Sequence, residues 1–278
     1  MRPARGLVVV VLILAGPAAR AAAAAPAAGP VPLPNAHAHN DYRHARPLLD
    51  ALDHGFCSVE ADIHLVDGRL LVAHDLDETA PERTLEALYL DPLRERIARN
   101  GGAVYPNGPR FVLLIDIKSD AAATYEALRE VLREYAEILT EFRPDSTRAG
   151  AVTVIVSGNR PIGLMAREPV RLAGVDGRLD DLARGVSPHL MPLISESWGS
   201  AFDWRGQGRM PRTERRRLRA LARQCHEQGK ILRFWATPER AALWEQLQEA
   251  EVDLINADNL DRLQQFLLEH GAHAGTRP

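Results

Sequence analysis

From residue 34 onward, short continuous apolar runs alternate with longer stretches whose apolar positions recur three and four apart. The first pattern is that of a strand buried on both faces, and the second that of an amphipathic helix. Strands are expected at 34–39, 57–63, 111–118, 151–156, 170–175, 190–194, 231–235 and 253–257. Helices are expected at 46–54, 84–100, 121–142, 161–167, 213–228, 239–250 and 260–270, with Gly55 and Gly101-Gly102 as stops. This is an α/β chain. Eight strands over roughly 240 residues predict a single (β/α)8 TIM barrel rather than an open doubly wound sheet. No glycine-rich phosphate loop follows the first strand, which counts against a dinucleotide fold, and there is no repeat of solenoid type.

Composition changes this picture little. The chain has 278 residues, 46% hydrophobic and 26% charged, with a formal net charge of −3, enough for one large domain and without the basic footprint of a nucleic-acid binder. Arg215-Arg216-Arg217 reads as a solvated helix face, with peripheral contact to a membrane surface as the alternative. The N-terminus does add something. Arg2 and Arg5 precede an apolar stretch at 7–15 and then an alanine-rich segment, the pattern of a cleaved secretory signal peptide. The expected organisation is a signal peptide and Ala/Pro-rich leader at 1–28, a barrel at 29–272 and a disordered tail at 273–278. The mature protein is then exported, periplasmic or secreted, and monomeric. Cys57 falls on a strand and Cys225 on a helix; a disulfide and two buried free thiols both remain open.

The candidate chemistry gathers at the C-terminal ends of the strands, where barrels of this type carry their sites. Glu60 and Asp62 are two residues apart in a β-branched run, so their carboxylates share one face of a strand. Two acids on one buried face repel unless a cation lies between them, which points to a hard divalent ion, Mg²⁺ or Ca²⁺. A turn at Asp67-Gly68 brings His74 back beside the pair. Asp116 and Lys118 repeat the two-residue spacing one strand later. His37 and His39 end the first strand, and Asn159, Trp235 and Asp258 stand at later strand ends. Acids, imidazoles and a lysine converging from three consecutive strands suggest catalysis rather than stability.

The order His39, Glu60-x-Asp62, His74-Asp75, Asp116-x-Lys118 resembles the PLC-like phosphodiesterase superfamily, which includes glycerophosphodiester phosphodiesterases and sphingomyelinase D-like phospholipases. The opening Ala36-His37-Ala38-His39-Asn40-Asp41-Tyr42 resembles the fungal "altered inheritance of mitochondria protein 6" branch and its bacterial relatives. The resemblance implies a metal-dependent hydrolysis of a small-molecule or lipid phosphodiester. Glu60, Asp62 and Asp116 would hold the ion and Lys118 a phosphate oxygen, with His39 and His74 as general base and acid. Either His37 or His39 matches the first catalytic histidine, and the distance to Glu60 favours His39. Asn40 and Asp75 are candidates to orient the histidines, and Asn40, Trp235, Asn159 and Asp258 to contact substrate. Two rivals stand beside this reading. One is a zinc-dependent hydrolase of amidohydrolase or PHP type, using His37-x-His39 as ligands. The other is a periplasmic binding protein on the same barrel. Trp198, Phe202 and Trp204 in the loop 197–211 either line a substrate pocket or cap the barrel.

Overall fold

The computed structural model describes residues 29–271, so the expected leader at 1–28 and tail at 273–278 lie outside the described residues. In chain order the elements are β1 (Leu33–Ala38), α1 (Leu49–Asp53), β2 (Phe56–Val66), β3 (Arg69–Val72), α2 (Asp91–Arg99), β4 (Phe111–Ile117) and α3 (Ala121–Arg133). There follow β5 (Glu141–Phe142), β6 (Thr147–Arg148), β7 (Val152–Gly158), α4 (Ile162–Met165), β8 (Ala173–Gly177), α5 (Leu179–Ala183), β9 (Leu193–Ser197) and α6 (Trp198–Ala201). The chain closes with α7 (Arg212–Glu227), β10 (Ile231–Trp235), α8 (Ala241–Glu249), β11 (Leu254–Ala257) and α9 (Leu260–Glu269).

Eight parallel strands close on themselves in the order β1-β2-β4-β7-β8-β9-β10-β11, with β11 pairing back to β1. The strand β3 is a short antiparallel return on β2, as the turn at Gly68 predicts. Helices cover the outside, and the large apolar cluster lies between them and the strands.

The barrel interior is divided by height. Leu114, Ile155, Leu193 and Leu254, with Val112 and Ile231, fill its lower part. Two residues further along the same strands, hence on the same face and one layer higher, stand Asp116, Ser157, Ser195, Asn256 and Arg233. His37, Ser58, Glu60, Asp62 and Asp176 are buried as well. Burying so many polar groups is costly unless they satisfy one another or a ligand. The apolar layer makes a floor, and the site is built on it.

Among the elements that differ from the sequence expectation, three have a clear physical reason; the helix expected at 84–100 also begins late, at Asp91, after a π-helical turn at Glu86–Leu90. The helix expected at 121–142 starts as predicted, with Asp120 accepting from the Ala123 N–H at 2.9 Å, but ends at Arg133. Beyond it, Thr140 N–H bonds to the Val152 carbonyl and Phe142 bridges to Arg171. These β-branched and aromatic residues favour extended pairing, and the neighbouring strands supply it. The strands expected at 170–175 and 190–194 both begin later, at Ala173 and Leu193. Arg171 is taken by Phe142, and Pro192 has no N–H to donate to a ladder. The shift carries Asp176 to the end of β8, where the sequence alone did not place it. Cys57 and Cys225 are free and buried.

Candidate active site

The acidic cage is built from strand register. In the β2–β4 pair Asp62 lies directly beside Asp116, and Glu60 is one inward-facing step below Asp62. Glu60, Asp62 and Asp116 each offer an oxygen, and these lie within 4.8 Å of one another. Asp62 Oδ1 is buried with no hydrogen-bond partner in the protein. Lys118 Nζ sits 3.1 Å from Asp62 and 3.3 Å from Asp116 Oδ1. Burial pushes the Asp116 carboxyl up to about 6 against the pull of Lys118, while burial of Lys118 is outweighed by Asp116 and Asp62, which hold its ammonium above the usual lysine range. An all-carboxylate donor set with an orphaned buried oxygen fits a hard divalent ion such as Mg²⁺ or Ca²⁺. It is a poor match for zinc.

Glu60 is held from two sides. Arg233 Nη2 donates to its Oε2, and His37 Nε2 lies 3.2 Å from the same oxygen. Burial alone would raise the Glu60 carboxyl, but the Arg233 guanidinium and the His37 hydrogen bond together overcome it and hold the group well below the usual carboxylate range. His37 is completely buried, with Nδ1 on Ser58 Oγ at 2.7 Å. Burial and the Arg233 charge press its pKa down to about 3, so it is neutral. Both of its nitrogens are occupied, and it presents nothing to solvent. The His37-x-His39 pair that a zinc hydrolase needs is thereby split.

His39 and His74 are different. His39 Nδ1 lies 2.7 Å from Asp258 Oδ1. Burial works against the charged imidazole, but this hydrogen bond and the Glu60 and Asp258 charges together outweigh it and raise the His39 pKa above the ordinary value. His74 Nδ1 lies 3.0 Å from Asp62 Oδ2 and 3.2 Å from the Tyr42 hydroxyl, which donates to Asp62 at 2.7 Å. Each imidazole is therefore fixed at Nδ1 by a carboxylate, and neither Nε2 has a partner among the described residues. His64 Nε2 adds a 3.1 Å bond to the His74 carbonyl.

The remaining expected residues are placed as follows. Asp258 orients His39. Asn40, in the left-handed region, has its side-chain oxygen 2.8 Å from the Tyr42 hydroxyl, and exposed Asp75 caps a short turn; among the described residues neither side chain hydrogen-bonds a histidine. Asn159 donates to the Lys118 and Ser119 carbonyls, pinning the backbone under the lysine. Trp235 is 38% exposed at the end of β10, standing free at the barrel mouth. Trp198, Phe202 and Trp204 are buried: Trp198 packs on Phe202 and on the outward-facing Phe234, so these aromatics pack between helices and strands instead of lining a substrate pocket. Tyr42 stands in the sequence only as the last residue of the opening 36–42, with no role expected of it. Arg233 is legible in the sequence as a polar residue at the end of its strand beside Trp235, but its pairing with Glu60 is not.

Gly158 also belongs to the site. Its φ is +65°, and a Cβ there would stand 2.0 Å from Asp116 Oδ1 and 2.6 Å from the Ile117 carbonyl. Gly158→Ala is expected to displace Asp116 and weaken Mg²⁺ or Ca²⁺ binding by about tenfold or more in a folded protein. Calorimetric titration checks it; unchanged affinity would mean that Asp116 is not a ligand.

A family model for the AIM6-like phosphodiesterase domain matches residues 28–172, just over half of the chain, and this span includes His39, Glu60, Asp62, His74, Asp116 and Lys118. The chain belongs to the AIM6-like phosphodiesterase family. The Altered inheritance of mitochondria protein 6 homolog of Arthroderma benhamiae is 29% identical over 255 residues, covering 81% of each chain. Altered inheritance of mitochondria protein 6 of Eremothecium gossypii is 30% identical over 268 residues, covering 83% of this chain and 68% of its own. In fold, a glycerophosphodiester phosphodiesterase from Agrobacterium tumefaciens superposes with a TM-score of 0.52 at 16% identity, covering 86% of this chain and 100% of that one.

These AIM6-like relatives correct two expectations. They are fungal rather than bacterial, and their names point to mitochondria, which overturns the exported, periplasmic or secreted location read from residues 1–28. The physical reason is that an acid-free, arginine-containing leader is a composition shared by export signals and mitochondrial presequences.

Proposed function

We propose that this AIM6-like protein is a metal-dependent phosphodiester hydrolase acting on a glycerophosphodiester or phospholipid-type substrate. The observation that carries the reading is the pair of carboxylate-clamped imidazoles, His39 and His74, with unpartnered Nε2 atoms around the Glu60–Asp62–Asp116 cage. A Mg²⁺ or Ca²⁺ ion held by those three acids supplies, when bound, Lewis-acid polarisation of the phosphoryl group. Lys118 holds a non-bridging phosphate oxygen as a point charge. His74 Nε2 takes the proton of the attacking hydroxyl, from water or from the substrate itself, and Asp62 stabilises the imidazolium that forms. His39, whose protonated form Asp258 favours, gives its proton to the departing oxygen. His37 keeps Glu60 aimed at the cage, and Trp235 packs on the leaving group.

The test is product release from glycerophosphocholine, lysophosphatidylcholine and bis-p-nitrophenyl phosphate by wild type and Glu60→Ala. Release by wild type and its loss in a folded Glu60→Ala supports the reading. Absence of release from all three, with tight binding of one of them, would instead mark a binding protein on the same barrel.

A further inference from the structure

Next to the acidic cage, strands β7 and β8 end in Gly158-Asn159-Arg160 and Asp176-Gly177-Arg178. The two arginines are treated unequally. Arg178 Nη1 donates to Asp176 Oδ2 at 2.7 Å and to Ser195 Oγ at 3.1 Å. The Ser157 and Ser195 hydroxyls also donate to Asp176 Oδ2, each at 2.7 Å. That oxygen is fully used. Arg160 reaches only the Asp176 backbone carbonyl. It forms no ion pair among the described residues, and its Nε is buried without a hydrogen-bond partner.

A guanidinium used only to tie one loop to its neighbour would do so from the surface, where water serves its other N–H groups. Here burial and the nearby Arg178 charge lower the Arg160 pKa, so the cation is held at a cost. Arg178 takes the Asp176 carboxylate and Arg160 has none of its own, so two guanidiniums face one acid, and the planar donors to spare suit an incoming carboxylate or phosphate. Their place is specific. β7 pairs with β4 so that Ser157 faces Asp116, and Arg160 feels the Asp116 charge. β8 lies across the barrel axis from β1, which His39 directly follows. If a diester lies on the cage with its leaving group toward His39, the opposite side of the mouth, where β7 and β8 end, is left for its other arm.

We propose that Arg160, backed by Arg178, is a subsite for a second anionic group, a carboxylate or phosphomonoester, on the retained arm of the substrate. This rests on the cage being the phosphodiester site. It narrows the substrate to diesters that carry an additional negative charge away from the scissile bond.

The experiment compares diphenyl phosphate with 4-carboxyphenyl phenyl phosphate, titrated calorimetrically into metal-free protein in EDTA, so that no turnover is needed. Wild type is expected to bind the carboxylated diester about tenfold more tightly. Arg160→Gln is expected to erase that preference and Arg160→Lys to restore part of it, with circular dichroism confirming the fold of each. Equal binding of the two diesters by wild type, or a preference that survives Arg160→Gln, overturns the subsite. Inorganic phosphate that binds in an Arg160-dependent way, with no gain from the carboxylate, would make the pair a free-anion site and likewise overturn it. None of these outcomes depends on catalysis. Failure of the phosphodiesterase reading is seen separately, as absence of turnover with metal present.

Discussion

Replacing His39 by alanine is expected to lower kcat/KM by about 10²–10⁴-fold on a diester whose leaving group is glycerol, and far less on a p-nitrophenyl diester. The reason is the proton. An alkoxide leaves only when it is protonated as the bond breaks, whereas p-nitrophenolate departs without help. In the proposed mechanism His39 gives that proton: Asp258 lies on Nδ1 and favours the imidazolium, and Nε2 has no partner among the described residues. Asp258→Asn is expected to act in the same direction but more weakly, and to move the alkaline limb of the pH profile downward, since the raised pKa of His39 depends on that bond. His74→Ala is expected to damage both substrates alike, because proton removal from the nucleophile is needed whichever group leaves. Equal losses for the two leaving groups in His39→Ala would show that His39 is not the acid.

Arg233→Ala is expected to destabilise the fold by about 3–5 kcal/mol, the range for breaking one half of a buried ion pair. Arg233 and Glu60 are both almost completely buried, and Arg233 also donates to Asn256 Oδ1 at 2.7 Å. Removing the guanidinium leaves Glu60 charged in the barrel interior with only the neutral His37 beside it. The pH dependence gives a second reading of the same pair. In the wild type the folded Glu60 pKa lies below its unfolded value, so its contribution is fully present above about pH 4.5 and is lost as pH falls below that. Without Arg233, burial raises the folded pKa instead. The contribution then reverses sign, and the variant gains stability relative to wild type as the solution is acidified. Urea unfolding in EDTA at several pH values measures both. A ΔΔG below about 1 kcal/mol, with no change in pH slope, would mean that the pair is not what holds Glu60.

Much of this architecture is written in the spacing of residues. Fully buried parallel strands need continuous apolar runs, so the barrel could be read directly, and inward-facing charged residues two apart at Glu60-Asp62 and Asp116-Lys118 marked the cage because strand periodicity is strict. The polar layer follows the same rule once the floor is known: Leu114, Ile155, Leu193, Leu254 and Ile231 are each followed, two residues later, by a polar group. What could not be read was set by contacts between distant segments. Tyr42 reaches Asp62 and His74 through a loop conformation that its own neighbours do not specify. His37 and His39 look alike in sequence, yet one falls under Arg233 and Ser58 and the other opens to the mouth beside Asp258. The shifts of β8 and β9 arise from Phe142 and Pro192, and with them the position of Asp176.

The most direct measurement is diester turnover by EDTA-treated wild type before and after addition of Mg²⁺ or Ca²⁺, with Glu60→Ala and Asp62→Asn alongside. The three-carboxylate cage predicts no turnover in EDTA, recovery on adding one of the two ions to wild type, and little or no recovery in either variant. Full turnover in EDTA, or recovery undiminished in both variants, would contradict the assignment of these acids as the cation site of a phosphodiesterase.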